Sequence, residues 1–288
     1  MSQTEIPTAT AAGTVTLGEL TVNRLGYGAM QITGTGIWGQ PADPDECRAV
    51  LRRLLDLDVN FIDTADSYGP AVSEELIAET LHPYPEGLVI GTKAGLVRPG
   101  PGEWRPDGRP EYLKGAVESS LRRLKVDRID LLQFHRPDPE VPFQESVGAL
   151  VDLKNEGKIR HLGLCNVGRT QLTDALAMTE IVSVQNMYNL TERRSEQVLD
   201  LCAEKGIAFL PWFPLATGNL ARPGGVLDQV AARHSATPGQ VALAWLLHHS
   251  KVMLPIPGTS KLAHLEENVA AAGITLEPAD MDEIEAAA

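Results

Sequence analysis

The sequence predicts an α/β protein of the (β/α)8 barrel class. About eight short apolar segments alternate with segments of helical spacing, which is the pattern of a parallel sheet closed into a barrel. Helix-start signals separate them, because Asp43-Pro44 and Thr237-Pro238 each place a capping side chain before a proline at the first helical position. No repeat or linker divides the 288 residues. An open doubly wound sheet is the alternative architecture.

Each predicted element follows from its local pattern. A small β-hairpin over 14–22 turns at Gly18, and the polar segment 1–13 before it is expected to be a flexible N-terminus to a single domain over 14–288. Apolar, β-prone segments predict strands at 24–30, 60–63, 88–93, 129–133, 159–165, 181–185, 207–212 and 252–256. Apolar residues at helical spacing predict helices at 44–57, 73–81, 110–124, 170–178, 226–235 and 238–249, two that end near 155 and at 205, and extra C-terminal helices at 261–271 and 281–288.

Composition and charge exclude several classes of partner. The chain has 25 Lys+Arg against 38 Asp+Glu, a net charge of -13, and no basic run, which argues against nucleic acid and anionic membranes. No apolar run reaches the roughly 18 residues of a membrane span, and residues 1–13 lack a signal-peptide pattern. Three cysteines without a C-x-x-C pair or metal-ligand spacing indicate a reducing compartment and no metal site. We therefore expect a cytoplasmic enzyme, either a monomer or a weak homo-oligomer.

A glycine-rich segment at 34–39 matches the G-x-G-x-x-G pattern of dinucleotide-binding sheets. In that fingerprint the third glycine opens the helix whose N-terminus faces the pyrophosphate. Here Gln40, Pro41 and Ala42 intervene before the helix cap at Asp43. We therefore interpret the segment as a flexible loop at a pocket and not as a phosphate-binding turn.

Polar side chains stand where three of the predicted strands end. Asp63 ends the strand in N-F-I-D-T-A-D-S-Y-G, Lys93 ends the next in V-I-G-T-K-A-G, and His135 follows a third in L-L-Q-F-H-R-P. Tyr68 lies in the loop after Asp63. Active sites of α/β barrels are built from these strand ends and loops. A helix-capping Asp or a solvated Lys or His is the alternative for each residue alone, but together the four favour a site.

The four residues have the chemistry of a proton donor and acceptor for a carbonyl/alcohol pair. The pKa of a tyrosine phenol is about 10, and a nearby Lys93 cation, oriented by Asp63, is expected to lower the pKa of Tyr68. A neutral His135 can hydrogen-bond a carbonyl oxygen. Because the set contains no nucleophile, metal ligands or second acid, the hydride must come from a cofactor.

Over essentially the whole chain the sequence resembles the aldo-keto reductase superfamily. The resemblance rests on F-I-D-T-A-D-S-Y-G followed by G-T-K and F-H-R in that order. It implies a (β/α)8 barrel that transfers a hydride from NADPH to aldehydes and ketones. It also implies that Asp63, Tyr68, Lys93 and His135 are the catalytic residues, with Tyr68 the general acid in reduction and the base in oxidation.

The same resemblance implies a binding site for the nicotinamide end of NADP(H). Asn166 in G-L-C-N-V and Gln185 in S-V-Q-N-M-Y-N match residues that hold the carboxamide. Cys165 replaces a serine of the family, and its contact is expected to be weaker because a thiol is a poor donor. Trp212 is expected to stack on the nicotinamide. Strand-end capping by the amides and core packing by Trp212 are the alternatives. The residues expected to line the pyrophosphate are Phe213, Pro214 and Leu215.

The phosphate end can be argued from the residues themselves. The sequence I-P-G-T-S-K at 256–261 follows the last predicted strand and opens a helix, where barrel phosphate sites often occur. Gly258 permits a close approach of the backbone, and Thr259 and Ser260 offer hydroxyl groups. Lys261 supplies a positive charge for a 2′-phosphate.

The residues for the adenosine end of the cofactor are implied by the resemblance to the family. Glu267 and Asn268 match positions that hold the adenosine, whereas His264 stands where many relatives carry an arginine. This departure leaves NAD(H) open beside NADP(H) as a cofactor. A capped surface helix with solvated charges is the alternative for Lys261 and His264.

The substrate pocket is predicted from loop and strand-end residues, namely Tyr27, Trp38, Trp104 and Arg136. For each of them, packing or a surface position is the alternative. The segments V-N-R-L-G-Y-G-A-M-Q, V-Q-N-M-Y-N and I-P-G-T-S-K-L-A-H-L resemble a bacterial subgroup that contains pyridoxal reductases. Interconversion of pyridoxal and pyridoxine is therefore a hypothesis for the substrate, beside a generic small-molecule carbonyl compound.

The sequence also allows two other functions. One is a cofactor-sensing interaction subunit with little turnover, which the resemblance allows because some members of the fold are of that kind. The other is a barrel aldolase that uses Lys93 as a Schiff base. That chemistry needs a lysine with a lowered pKa, whereas Asp63 nearby is expected to hold Lys93 charged.

Overall fold

A parallel sheet of seven strands lies at the centre of the computed structural model, which describes residues 6–215 and 227–286. The strands in chain order are β1 (Thr14–Leu17), β2 (Leu20–Asn23), β3 (Tyr27–Gly28), β4 (Phe61–Asp63), β5 (Val89–Ala94), β6 (Leu96–Val97), β7 (Arg105–Pro106), β8 (Ile129–Phe134), β9 (Ile159–Cys165), β10 (Ser183–Met187) and β11 (Ala208–Trp212). The large sheet has the order β11-β10-β9-β8-β5-β4-β3, so neighbours along the chain are neighbours in space. This order confirms the alternation of strands and helices that the sequence predicts.

The segment 252–257 connects the two edge strands of this sheet. The main chain of Phe209 in β11 forms two hydrogen bonds to it, at 2.8 and 2.9 Å, and the amide of Gly26 beside β3 donates to the carbonyl of Pro255 at 2.9 Å. The arrangement is consistent with the predicted (β/α)8 barrel. The predicted strand 252–256 is not a continuous strand, however, and makes one isolated bridge to β11. Pro255 has no amide hydrogen to donate to a ladder.

The helices pack around the sheet and begin at the signals that the sequence contains. They are α1 (Pro44–Asp56), α2 (Val72–Leu81), α3 (Pro110–Leu124), α4 (Phe143–Asn155), α5 (Arg169–Met178), α6 (Glu196–Lys205), α7 (Asp228–Arg233), α8 (Pro238–His249), α9 (Leu262–Ala270) and α10 (Pro278–Ala286). Both predicted caps are confirmed, since Asp43 accepts from the amide of Glu46 at 2.9 Å and Thr237 from that of Gln240 at 3.3 Å. None of the described helices has the length and apolar composition needed to cross a bilayer.

The predicted N-terminal hairpin is confirmed, since β1 and β2 pair antiparallel. It covers the amino end of the sheet. Leu17 and Val22 are buried in an apolar cluster with residues from the inner face of the sheet. Within the segment expected to be flexible, Ala9–Ala12 form a 3-10 helix, and the amide of Ala9 donates to the carbonyl of Leu57 at 2.9 Å. Parts of three predicted segments lie outside the described residues, namely 1–5, 226 and 287–288.

Two predicted elements near the carboxyl edge of the sheet are wrong in detail. The predicted strand 24–30 is only the two residues of β3, which pass into a 3-10 helix at Ala29–Ile32. The loop predicted at 95–110 contains an antiparallel ribbon of β6 and β7. The ribbon places the chain after β5 above the edge where the polar strand-end residues lie.

Every second residue of each strand faces the inside of the curled sheet. The inward-facing residues are apolar near the hairpin and polar at the carboxyl edge. Phe61, Val89 and Leu131 are buried in the cluster nearest the hairpin. Two residues on from Phe61 comes Asp63, and two on from Leu131 comes Gln133. Since strand side chains alternate with a period of two, the interior changes from an apolar base to a polar layer at the carboxyl edge.

Candidate active site

Asp63 and Lys93 form a buried ion pair at the carboxyl edge of the sheet. The Lys93 Nζ donates to Asp63 Oδ2 at 2.5 Å and to the carbonyl of Thr64 at 2.9 Å. The two side chains are 3% and 1% exposed. Burial lowers the pKa of Lys93, but the charges of Asp63 and Tyr68 outweigh this and raise it overall. Lys93 is therefore a cation at neutral pH.

Two amides hold the second oxygen of Asp63. Gln133 Nε2 and Gln185 Nε2 each donate to Asp63 Oδ1 at 2.8 Å, and Gln185 Nε2 also lies 3.3 Å from Gln133 Oε1. The carboxylate thus has donors on both oxygens, which satisfies a charge that would otherwise be costly to bury. Gln133 is a site residue that is absent from the residues predicted above. The period of two along β8 is the signal that predicts it, because His135 lies two residues further on.

The Tyr68 phenol lies above this pair. Its Oη accepts from Lys93 Nζ at 3.3 Å, and the residue is 7% exposed. The pKa of Tyr68 is raised to about 12, because burial outweighs the lowering by the Lys93 cation. The lowering by Lys93 that the sequence predicts is present, but the predicted direction of the overall pKa shift is wrong because burial reverses it. The loop that carries Tyr68 is anchored, since Thr64 Oγ1 donates to Ser73 Oγ at 2.8 Å and Ser73 Oγ donates to Ala29 O at 3.0 Å.

His135 faces Tyr68 from the end of β8. The two ring centroids are 6.0 Å apart, and the planes are nearly perpendicular. Burial, with the charges of Lys93 and Arg136, lowers the pKa of His135 well below its ordinary value, so the imidazole is neutral. Ser67 Oγ lies 3.4 Å from His135 Nδ1. A Ser67 hydroxyl that donates to Nδ1 leaves the imidazole proton on Nε2.

These residues border a cavity of about 630 Å³ at the mouth of the sheet. Its lining residues are Gly28, Met30, Gln31, Ile37, Asp63, Tyr68, Leu96, Trp104, His135, Arg136, Asn166, Gln185, Trp212, Phe213, Pro214, Leu215, Ile256, Pro257 and Gly258. The structure therefore brings three of the four predicted catalytic side chains to the wall of one cavity, with Lys93 directly behind Tyr68. A cavity of this size, with a few convergent polar groups, is of the kind that binds small molecules and cofactors.

The residues predicted for the nicotinamide divide into two groups. Asn166, Gln185 and Trp212 line the cavity. Asn166 has a left-handed backbone with φ of 57°, and its Nδ2 donates to the carbonyl of His135 at 3.0 Å. Cys165 does not line the cavity: it is 1% exposed, and its thiol faces Gln133 Oε1 at 3.8 Å. Burial raises the pKa of the Cys165 thiol, which keeps it neutral.

The residues predicted for the phosphate end lie along and beyond one rim of the cavity. Gly258 lines the cavity, and Thr259 Oγ1 accepts from the amide of Lys261 at 3.0 Å. The Lys261 side chain, 54% exposed, forms an ion pair with Glu46 of α1. Glu267 Oε1 accepts from the hydroxyl of Thr237. Three further residues of the prediction are exposed or half-buried nearby, namely Ser260, His264 and Asn268.

Two of the four predicted substrate-pocket residues line the cavity. Trp104 is half-buried and Arg136 exposed there. Tyr27 is fully buried instead, and its hydroxyl donates to the carbonyl of Thr259 at 2.5 Å. The sequence could not distinguish these cases, because Tyr27 lies in a strand much shorter than predicted and faces the helices, where it packs in one apolar cluster with Val50 and Leu51 of α1. Trp38 lies behind the lining, 5.5 Å from the guanidinium of Arg98.

The chain is similar to known proteins over most of its length. A family model described as "Aldo/keto reductase family" matches residues 24–288. The chain is 54% identical over 268 residues to an uncharacterized oxidoreductase of Schizosaccharomyces pombe, across 93% of this chain and 87% of that protein. It is 44% identical over 268 residues to pyridoxine 4-dehydrogenase of Escherichia coli K12, across 91% of this chain and 93% of that protein. A solved aldo/keto reductase of Klebsiella pneumoniae in complex with NADP and acetate superposes with a TM-score of 0.81 at 27% identity, across 95% of this chain and 94% of that one.

Proposed function

The chain belongs to the aldo/keto reductase family, and on that premise we propose that it is an NADP(H)-dependent oxidoreductase that reduces an aldehyde or ketone to an alcohol. The observation that carries the proposal is the position of Tyr68. Its phenol borders the cavity, and its oxygen accepts a hydrogen bond from Lys93. The phenol proton is therefore left for a group inside the cavity.

The four polar residues divide the proton chemistry among them. With a pKa of about 12, Tyr68 is protonated at neutral pH and can donate to the oxygen of a carbonyl group. The Lys93 cation then stabilises the phenolate that remains. Asp63 keeps Lys93 charged and in place through the 2.5 Å contact. Neutral His135 is positioned to donate a hydrogen bond to the same carbonyl oxygen and to orient it.

The residues around the cavity fit a nicotinamide dinucleotide. Trp212 borders the cavity, and its indole Nε1 is buried with no hydrogen-bond partner among the described residues. A Cβ on Gly258 would lie 2.6 Å from the carbonyl of Gly28, so bare backbone forms this part of the wall. Asn166 and Gln185 offer amides to a carboxamide group. When bound, the cofactor supplies the hydride. The bound NADP of the Klebsiella pneumoniae protein supports this assignment.

The remaining predicted residues extend this cofactor site. Backbone groups of Phe213, Pro214 and Leu215 are proposed to line the pyrophosphate. Lys261 is proposed to meet a 2′-phosphate in place of Glu46. The outer residues proposed to hold the adenosine end are Thr259, Ser260, His264, Glu267 and Asn268. NAD(H) is the alternative cofactor, because the charge of Lys261 is shared with Glu46.

For the substrate we propose pyridoxal among other small aldehydes. The likeness to pyridoxine 4-dehydrogenase supports it. A reaction through a Schiff base on Lys93 is disfavoured, because the raised pKa of Lys93 keeps the nitrogen protonated and unable to attack a carbonyl. The three cysteines are free and buried, which supports a reducing compartment such as the cytoplasm.

The experiment is to follow NADPH absorbance with pyridoxal, nitrobenzaldehyde and a small aliphatic aldehyde, and to repeat the series with NADH. We expect turnover with NADPH and the highest kcat/KM for pyridoxal. Equal turnover of all three aldehydes would reject pyridoxal as a preferred substrate but keep the reductase. Tight binding of NADPH without turnover of any aldehyde would favour a cofactor-sensing subunit.

A further inference from the structure

Arg98 is a nearly buried cation whose hydrogen bonds all go to main-chain oxygens. The residue is 9% exposed. Its Nε donates to the carbonyl of Glu103 at 2.9 Å. The two terminal nitrogens donate to Ile37 O at 2.8 Å and Gly36 O at 3.1 Å, and Nη1 also lies 3.4 Å from Ser67 O. The carboxylate of Glu103 is directed elsewhere, to Arg105. Among the described residues, Arg98 therefore has no carboxylate to neutralise it.

The guanidinium of Arg98 also lies against two tryptophans. Its central carbon is 3.6 Å from the ring centroid of Trp104 and 5.5 Å from that of Trp38. Arginine interacts favourably with aromatic faces through both its charge and its planar group. Trp104 lines the cavity, so this contact fixes one wall of it.

These contacts connect three chain segments around the mouth of the cavity. The first is the loop 34–39, which contributes Ile37 to the lining, and the second is the loop that carries Ser67 and Tyr68. The third is the β6–β7 ribbon that carries Trp104. Ser67 in turn lies against the ring of His135. Among the described arginines, only Arg98 donates to main-chain oxygens of three separate segments around the cavity. Arg24, for example, donates to three main-chain oxygens that all lie within 247–253.

We propose that Arg98 is a positioning residue that determines substrate specificity, because it fixes the β6–β7 ribbon and the loop 34–39 as one wall of the substrate pocket. The inference rests on the proposed reductase function. The wall is expected to discriminate aldehydes by the size and shape of their rings. Tyr68 is held without Arg98, by Lys93 Nζ and by the hydrogen bonds of Thr64 and Ser73 that anchor its loop. The chemical step is therefore expected to be nearly independent of Arg98.

The chemistry of the contact requires arginine. A buried charge without a counter-ion is costly unless its N–H groups are hydrogen-bonded, and the planar guanidinium presents donors in several directions at once. The ammonium group of lysine is a single point of charge on a flexible chain and cannot reach carbonyls in three segments. Arg98→Lys keeps the charge and is therefore expected to loosen the wall nearly as much as Arg98→Gln.

The test compares Arg98→Lys and Arg98→Gln with Arg105→Gln, a change to an exposed arginine of the same ribbon that pairs with the Glu103 side chain. We expect KM for pyridoxal and nitrobenzaldehyde to rise about tenfold in both Arg98 variants. The value of kcat, the KM of the small aliphatic aldehyde and the Kd of NADPH are expected to stay close to wild type. Added guanidinium at a non-denaturing concentration is expected to restore discrimination in Arg98→Gln.

A second readout needs no turnover. Acrylamide quenching of tryptophan fluorescence is expected to increase in Arg98→Gln. The increase is expected to be smaller in the Trp104→Phe background, where of the two tryptophans beside Arg98 only Trp38 is left to report it. If Arg98→Gln does not fold, Trp104→Ala tests the same wall and is expected to lose the same discrimination.

Two results would overturn the proposal. One is an unchanged ratio of kcat/KM between the ring aldehydes and the aliphatic aldehyde in every folded Arg98 variant. The other is an equal loss in Arg105→Gln. A wild-type protein without any aldehyde turnover would instead reject the reductase function, while the fluorescence comparison would still decide whether Arg98 fixes the wall.

Discussion

The two ends of the cavity hold their charges in opposite ways. At the sheet end, the Lys93 and Asp63 side chains are 1% and 3% exposed, and amides of Gln133 and Gln185 bind the second carboxylate oxygen. At the rim, the Lys261 side chain is 54% exposed. Its partner Glu46 belongs to α1, and the side chain of Glu46 is 26% exposed. The first pair is part of the fold, whereas the second is a contact that a ligand can replace.

Because the two ion pairs differ in burial, they are expected to differ in their contribution to the free energy of unfolding. Removing one partner of a buried ion pair typically destabilises a protein by about 3–5 kcal/mol, because the other charge is left without compensation. An exposed pair contributes about 0–1 kcal/mol. A site that must hold a proton donor in one geometry therefore uses the first kind of pair. The proposed phosphate site, in which a ligand phosphate would replace the carboxylate of Glu46, uses the second.

Among the changes that test this contrast, Lys93→Met is expected to have the largest effect, on both stability and kcat. It leaves Asp63 buried with only amide donors, so we expect the free energy of unfolding to fall by about 3–5 kcal/mol. It also removes the cation beside Tyr68, and we expect kcat to fall by about 10²–10⁴-fold. Urea denaturation and steady-state kinetics measure the two effects. Lys205→Met, which breaks an exposed contact with Glu204, is the control. A Lys93→Met protein as stable as the Lys205→Met control would contradict the contrast between the two ends.

Substitutions at the rim are expected to have smaller effects, and only on the affinity for the cofactor. Lys261→Gln removes the charge proposed to meet the 2′-phosphate, so the Kd of NADPH should rise about threefold while that of NADH stays constant. Glu46→Gln releases Lys261 and should lower the Kd of NADPH by a similar factor. Titration of each cofactor by fluorescence, at low and high salt, measures both. Equal shifts for NADPH and NADH would show that the phosphate does not bind at this rim.

Most of the site near the sheet could be predicted because strand geometry is regular. Asp63, Lys93 and His135 end successive strands, and the period of two along β8 also indicates Gln133. Such positions depend on residues close in sequence and on one rule of alternation. Gln133 is not itself at a strand end but lies one layer beneath His135, so the pattern of polar strand ends does not include it.

Other features could not be predicted because they depend on contacts between distant segments. Arg98 forms a hydrogen bond to a residue 62 positions away in the sequence. No pattern in the sequence around Arg98 predicts this contact. The direction of the pKa shift at Tyr68 depends on how deeply the phenol is buried, and burial depends on the loops that cover it. The full burial of Tyr27 is not predictable for a similar reason, because it depends on packing against α1 and on the hydrogen bond to the carbonyl of Thr259.

The most direct test of the central claim is a comparison of Tyr68→Phe with wild type, in which aldehyde turnover and NADPH affinity are measured on the same samples. Tyr68→Phe removes one oxygen and leaves Lys93, Asp63 and the cavity in place. We expect kcat for aldehyde reduction to fall by about 10²–10⁴-fold, and the Kd of NADPH to stay close to wild type. Retained turnover, or a loss of NADPH binding as large as the loss of turnover, would contradict the account of Tyr68 as the proton donor.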